Sequence, residues 1–154
     1  MTLKGDPVID HGHFVWTKFP KTERPNVPSD ERHIALCLRR FRHPTQGHAL
    51  IAVFTTTRDR GDRPKAKGEI EINAAQAREL GQSSAFHIDA KRIAVMPLTL
   101  DYFPDLDEAT CGIRGRSERL AKAALLRFRE IAAETPELID YLGPEELRKG
   151  IFGR

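Results

Sequence analysis

Cysteine is scarce in this chain, with two among 154 residues. That excludes the disulfide framework on which small secreted domains depend. Cys37 lies in an apolar stretch and Cys111 beside a turn-rich one, and both are expected to be reduced. Long apolar runs are missing as well. None approaches the roughly 20 residues that a membrane-spanning helix needs, so no membrane partner is expected. The opening dozen residues, MTLKGDPVIDHG, lack the apolar core of an export signal, which leaves the cytoplasm as the expected location. The sequence also contains no P-loop, no G-x-G-x-x-G after a strand, no G-x-S-x-G elbow and no internal repeat, which removes the commonest nucleotide-binding and acyl-transfer fingerprints.

What is there suits a soluble chain of one domain, spanning 1–154. The net charge of +3 tilts only weakly toward an acidic partner. Its distribution says more, because RDRGDRPKAK (58–67) sets Arg58, Arg60, Arg63, Lys65 and Lys67 against two aspartates. Such a loop can tether phosphates or simply face water. Six histidines raise the question of a metal. His11 and His13 would share a face of a strand, but no third ligand follows at a spacing that completes a site, so no metal or other cofactor is expected.

Periodicity places the elements. HFVWTKF (13–19), HIALCLRRF (33–41) and HALIAVFTT (48–56) are rich in β-branched and aromatic residues and read as three strands of a meander. PKTERPNVPSDE between the first two is a proline-rich surface loop, and RHPTQG between the last two has hairpin length. GEIEIN alternates as a strand with one wet face. NAAQAREL then reads as a short helix capped by Asn73 and stopped by Gly81, and SAFHID and RIAVMP read as two more strands, broken at Ala90 and Lys91. From Ser117 the period becomes helical, with Ala121, Ala124, Leu125, Phe128, Ile131 and Ala132 on one face. Thr135-Pro136 opens a second short helix ending at Gly143, and Gly143-Pro144 repeats the device before EELRK. The fold expected is mainly β with C-terminal helices: antiparallel strands curled into a small barrel, with a short inserted helix and one helix packed across an open end.

Pairing the strands 33–41 and 48–56 through their turn brings the start of one near the end of the other, so Arg32 and Thr55 are expected to approach at the barrel's lip. The plain alternative is that Thr55 is a good strand former and Arg32 a solvated flank.

Several stretches then resemble the MazF/PemK family of toxin endoribonucleases. GHFVWTKF is similar to the family's G-D-x-V-W-x-x-F, with Gly12, Val15, Trp16 and Phe19 matching and His13 in place of the aspartate. ERHIALCL resembles R-P-x-L-V, with Arg32 at the arginine and His33 at the proline. IAVFTTT resembles the strand that ends in I-T, with Thr55 at the threonine. SAFHIDAKRIAVM looks like S-x-V-x-x-D-Q-I-R, with Ser84, Asp89 and Arg92 in matching places and DAKR for DQIR. CGIRGRSERLAKAAL is similar to the family's glycine turn and last helix. The likeness runs from about residue 11 to 132 and leaves 133–154 as a short helical C-terminal extension.

The resemblance implies an SH3-like barrel, a homodimer, a small acidic antitoxin as partner, and metal-independent cleavage of single-stranded RNA, with Arg32 and Thr55 as the catalytic pair. The chemistry suits those residue types. RNA carries its own nucleophile, the 2′-OH, so the protein has only to position it, move two protons and stabilise charge on the phosphate oxygens. A guanidinium binds such oxygens bidentately and a hydroxyl adds a donor. Arginine is a poor proton acceptor, and His33 is a candidate to help. Of the aromatics, Trp16 and Phe14 can stack on bases, one of them necessarily facing the core. Lys18, Arg24, His33, Arg58, Lys65 and Lys67 are candidates to follow the backbone. By alternation, Thr55 is expected to face the cleft, with Thr56 and Thr57 mainly structural. A second reading is a nucleic-acid-binding barrel without turnover, favoured by His33 and DAKR; a third is a protein-interaction barrel whose basic loop recruits an acidic partner.

Overall fold

A computed structural model of the chain describes residues 8–57 and 67–153. Strands β1 (His13–Thr17), β2 (His33–His43) and β3 (Gly47–Thr56) form the expected antiparallel meander. β4 (Glu69–Ile72) and β5 (Phe86–Pro97) pair on either side of helix α1 (Ala74–Glu79). β6 (Ile113–Arg116) leads into helix α2 (Glu118–Glu134). A 3-10 turn (Pro136–Leu138), strand β7 (Asp140–Leu142) and helix α3 (Glu145–Phe152) follow. The strands make one sheet in the order β4-β5-β3-β2-β1-β6, with β7 added to β5. The fold is therefore mainly β and antiparallel, with its helices largely C-terminal. No described helix is long and apolar enough to cross a membrane.

The continuous apolar runs of β2 and β3 have a simple cause: both faces of the sheet are covered, so alternation does not separate wet from dry. On β2, Ala35 and Cys37 join Met96, Phe103 and Leu106 in one core, while Leu36 and Leu38 join Phe14 and Ile93 in the other. That second core is roofed by Leu120, Ala121 and Ala124 of α2. The α2 stripe thus lands where its period requires. Ser117 caps the helix by accepting from the Leu120 amide at 3.1 Å, a contact typically worth about 1 kcal/mol.

The sheet's two edges, β4 and β6, share no ladder. Between them sits the turn that ends α1. A Cβ built on Gly115 of β6, whose φ is 132°, would lie 1.8 Å from the Leu80 carbonyl oxygen. Only glycine permits that approach.

Three expectations are corrected. The segment 84–97 is not two strands but one, since β5 absorbs the irregularity at Ala90–Arg92 as a bulge: Val53 faces Ile93 while the next residue, Phe54, faces Asp89. The helix expected from Thr135 to Gly143 is a single 3-10 turn followed by β7. Ile139 and Tyr141, poor in helix propensity, belong to a segment that finds an open stretch of β5 at Arg92–Ala94, and the ladder there is parallel. β6 forms where the sequence reads as a glycine turn; Val15 of β1 pairs with Ile113 and gives it a partner.

The C-terminal residues are part of the packing. Leu147 of α3 is fully buried against Ala49 and Val95, and the Phe152 ring lies 4.8 Å from that of Tyr141.

Candidate nucleic-acid cleft

The β2–β3 register fixes the site. Ala35 faces Phe54, so the next pair outward is Ile34 with Thr55, and Arg32 stands just beyond. The Thr55 hydroxyl donates to the Ile34 carbonyl oxygen, which ties the end of β3 to the start of β2. Arg32, Thr55, Trp16, His33, Ile34, Gln82 and Phe86 line one open cleft of about 500 Å³, together with Thr56 and Thr57. Arg32 and Thr55, expected from the hairpin to approach each other, thus line the same cleft. An adjoining concavity of about 490 Å³, lined by Glu71, Asn73, Gln76 and His87, shares Thr57 and Phe86 with it.

The loop before Arg32 is held in place by buried polar contacts. Ser29 donates its amide to the Lys18 carbonyl at 3.1 Å and its hydroxyl to that of Glu31 at 2.8 Å. The Tyr102 hydroxyl donates to the Asn26 carbonyl at 3.2 Å, and burial, with Asp101 nearby, pushes its pKa up to about 12, so it stays a donor. Arg32 leaves this loop with its side chain 47% exposed and ion-paired to Asp105, which is only 15% exposed. The guanidinium carbon lies 5.2 Å from the Trp16 ring centroid. An Arg–carboxylate pair on one side and an aromatic face on the other restrict where the fork can point. Gly112 makes room for this stack: a Cβ there would meet Asp105 at 3.2 Å and Trp16 at 3.6 Å.

Thr55 is 4% exposed, and its one proton is committed to Ile34. To donate to a phosphate oxygen it must give up that bond; to position the strand end beside Arg32 it need not move. Thr56 and Thr57 line the cleft as well. This corrects the expectation that only one face of 55–57 meets the cleft: Thr57 lies beyond the end of β3, where alternation no longer applies, and Thr56 meets the cleft as the last residue of the strand.

The aromatic pair divides cleanly. Phe14 is fully buried against Phe86, centroids 5.6 Å apart, while Trp16 faces the cleft. His33 also lines it, its ring 4.9 Å from that of Phe54. Lys18 and Arg24 are not brought to the cleft; Arg24 sits in the loop beside Lys21 and Asp30. Lys67 lies 3.8 Å from Glu134. Arg58 and Lys65 fall outside the described residues. Ser84, Asp89 and Arg92 are absent from the cleft lining: Asp89 pairs with Lys91 at 3.2 Å and Arg92 stacks on Phe54 at 4.0 Å. Among the described residues no group of three or more His, Cys, Asp or Glu is arranged to hold a metal ion, and β1 starts only at His13, leaving His11 in the preceding turn.

Gln82, which lines the cleft, and Asp105, which pairs with Arg32, are the polar residues of the site that sequence reading missed. Asp105 is one of several carboxylates in YFPDLDEAT, and nothing local singles it out. Gln82 follows the helix stop Gly81, and its importance comes from placement alone. No protein-family model and no curated protein matches this chain in sequence.

Proposed function

We propose that this chain is a metal-independent endoribonuclease of the MazF/PemK type, cleaving single-stranded RNA at the cleft. The observation that carries the proposal is the convergence of Arg32, Thr55 and Trp16 on one open concavity. In this reading the curled sheet is an SH3-like barrel, with the turn after α1 filling the gap between β4 and β6. The working unit is a homodimer, and a small acidic antitoxin blocks the cleft.

The reaction needs little from the protein. The 2′-oxygen attacks the adjacent phosphorus as the bond from phosphorus to the 5′-oxygen breaks. One proton leaves the 2′-OH and one reaches the departing oxygen, giving a 2′,3′-cyclic phosphate and a 5′-OH. Arg32 binds the non-bridging oxygens and stabilises the charge that grows there, and Asp105 and Trp16 keep its fork oriented. Thr55 holds the strand end against Ile34 or turns its hydroxyl to the same oxygens. His33, on the cleft lining, is the group assigned to take the 2′ proton. Trp16 offers its face to an unpaired base.

A defined single-stranded RNA incubated with the purified protein in EDTA tests this. Cleavage that leaves a cyclic phosphate, stops when the scissile nucleotide is 2′-deoxy and disappears in Arg32→Ala is the expected result. Intact RNA under all conditions would exclude the nuclease. One observation favours a second reading, a nucleic-acid-binding domain without turnover: in this structure the Arg32 guanidinium is engaged by Asp105 and the Thr55 proton by Ile34. Salt-sensitive RNA binding without products would select it.

A further inference from the structure

Gln82 is out of place as a merely structural residue. It is 92% buried, since only 8% of its surface is exposed, yet its side-chain amide nitrogen has no hydrogen-bond partner among the described residues. Buried polar groups are nearly always satisfied, and one that is not calls for an explanation. Poor local chemistry is not the explanation. The short helix before it is fully capped, with the Asn73 side chain accepting from the Gln76 amide at 2.8 Å and the Gln76 side chain from the Asn73 amide at 2.9 Å. The Gln82 backbone is likewise anchored, donating to the Ala77 carbonyl at 2.9 Å. Gln82 is thus held at the lining of the Arg32–Thr55 cleft by a rigid turn, with its amide nitrogen just beneath the surface. The last torsion of a glutamine is soft, so the amide edge turns toward the cleft at little cost.

We propose that Gln82 is a base-reading residue: its amide N–H donates to a keto oxygen on the edge of an RNA base held in this cleft, and so selects keto over amino bases. This rests on the RNA reading above. Its neighbours favour a base over a phosphate. Trp16 supplies flat apolar surface on the same lining, and a neutral donor beside an aromatic group matches a neutral planar acceptor, while Arg32 is the partner for the anionic backbone. A donor facing an exocyclic amino group is left unpaired, which is the basis of discrimination.

Uracil and cytosine test the point, because they differ at position 4 as keto against amino. Decamers of 2′-O-methyluridine and 2′-O-methylcytidine resist 2′-OH attack, so fluorescence anisotropy reads binding alone. The parent is expected to bind the uridine decamer roughly tenfold more tightly. Gln82→Met, which keeps the length and removes the donor, is expected to bring the ratio near one. Gln82→Glu, which replaces the donor by acceptors, is expected to invert it. Gln82→Met should also melt at or above the parent temperature, because it removes an unsatisfied buried donor; a merely structural glutamine would lower the melting temperature and leave the base ratio alone. If Gln82→Met does not fold, the ratio is read in Gln82→Asn, whose shortened arm is expected to weaken the preference in the same direction. Equal affinity of the parent for both decamers, or a preference unmoved by Gln82→Met, overturns this inference and leaves the nuclease reading standing. Binding of neither decamer by the parent overturns both.

Discussion

Arg32 and Asp105 form an ion pair at the mouth of the cleft, the arginine half exposed and the aspartate nearly covered, with the Trp16 ring 5.2 Å from the guanidinium carbon. The carboxylate therefore does two opposed things to a phosphate-binding group: it orients the fork and it competes for it. Replacing it by Asn removes one negative charge while keeping the shape. Asp105→Asn is expected to tighten binding of a non-cleavable RNA about fivefold at low salt, a gain that fades as salt screens it. Stability should change by less than about 1 kcal/mol, since half of the pair faces water. Unchanged or weaker binding would mean that the guanidinium is not offered to the ligand.

Thr55 separates chemistry from architecture when compared with its neighbours. Thr55→Ala loses the bond to the Ile34 carbonyl, which is expected to lower unfolding free energy by about 1 kcal/mol in urea. Most cleavage should go with it. Thr55→Ser keeps the hydroxyl and should retain both, whereas Thr56→Ala and Thr57→Ala should cut RNA at close to the parent rate. Equal losses at all three positions would assign the threonines to strand stability.

The junction between β4 and β6 is held by close backbone approach and not by a ladder. Gly115→Ala places a methyl group 1.8 Å from the Leu80 carbonyl at a φ of 132°. Both the clash and the backbone conformation are unfavourable, and a loss of about 3 kcal/mol or more is expected in chemical denaturation. A loss under about 1 kcal/mol would mean that the turn after α1 yields easily.

His13 gives the fold a pH dependence of definite sign. Burial, with Arg116 nearby, lowers its pKa below the ordinary 6.5, and its Nδ1 accepts from the Asp10 amide at 2.9 Å, which a protonated ring nitrogen cannot do. The unfolded chain therefore binds this proton more readily than the folded one. The stabilisation is full above pH 6.5 and is lost as the pH falls through the folded pKa. Urea midpoints of the parent should drop between neutral and mildly acidic pH more than those of His13→Gln; parallel curves would remove His13 from the pH response.

Much of this was legible in the chain because local signals agreed with tertiary demand. The alternation of Glu69–Ile72, the cap at Asn73, the stop at Gly81 and the α2 stripe each state one element on their own. The hairpin between β2 and β3 even brought Arg32 and Thr55 to one cleft, since antiparallel pairing sets the start of one strand beside the end of the other. What stayed hidden depends on partners distant in sequence. β7 exists because β5 has an open stretch at Arg92–Ala94, and β6 because β1 does at Val15. Asp105 reaches Arg32 from 73 positions away, and Gln82 enters the cleft only because the turn after α1 abuts β6. Only charge points Lys18 and Arg24 toward an RNA backbone, and charge does not say which way a loop residue faces.

The measurement that bears most directly on the shared site is a double-mutant cycle of Arg32→Ala and Thr55→Ala, read as single-turnover RNA cleavage in EDTA. Two groups acting on one phosphodiester are not additive. Either substitution should remove most of the parent rate, and the pair together should do little further harm. Parent-like cleavage by Arg32→Ala, or losses that simply multiply, would contradict a common phosphate site at this cleft.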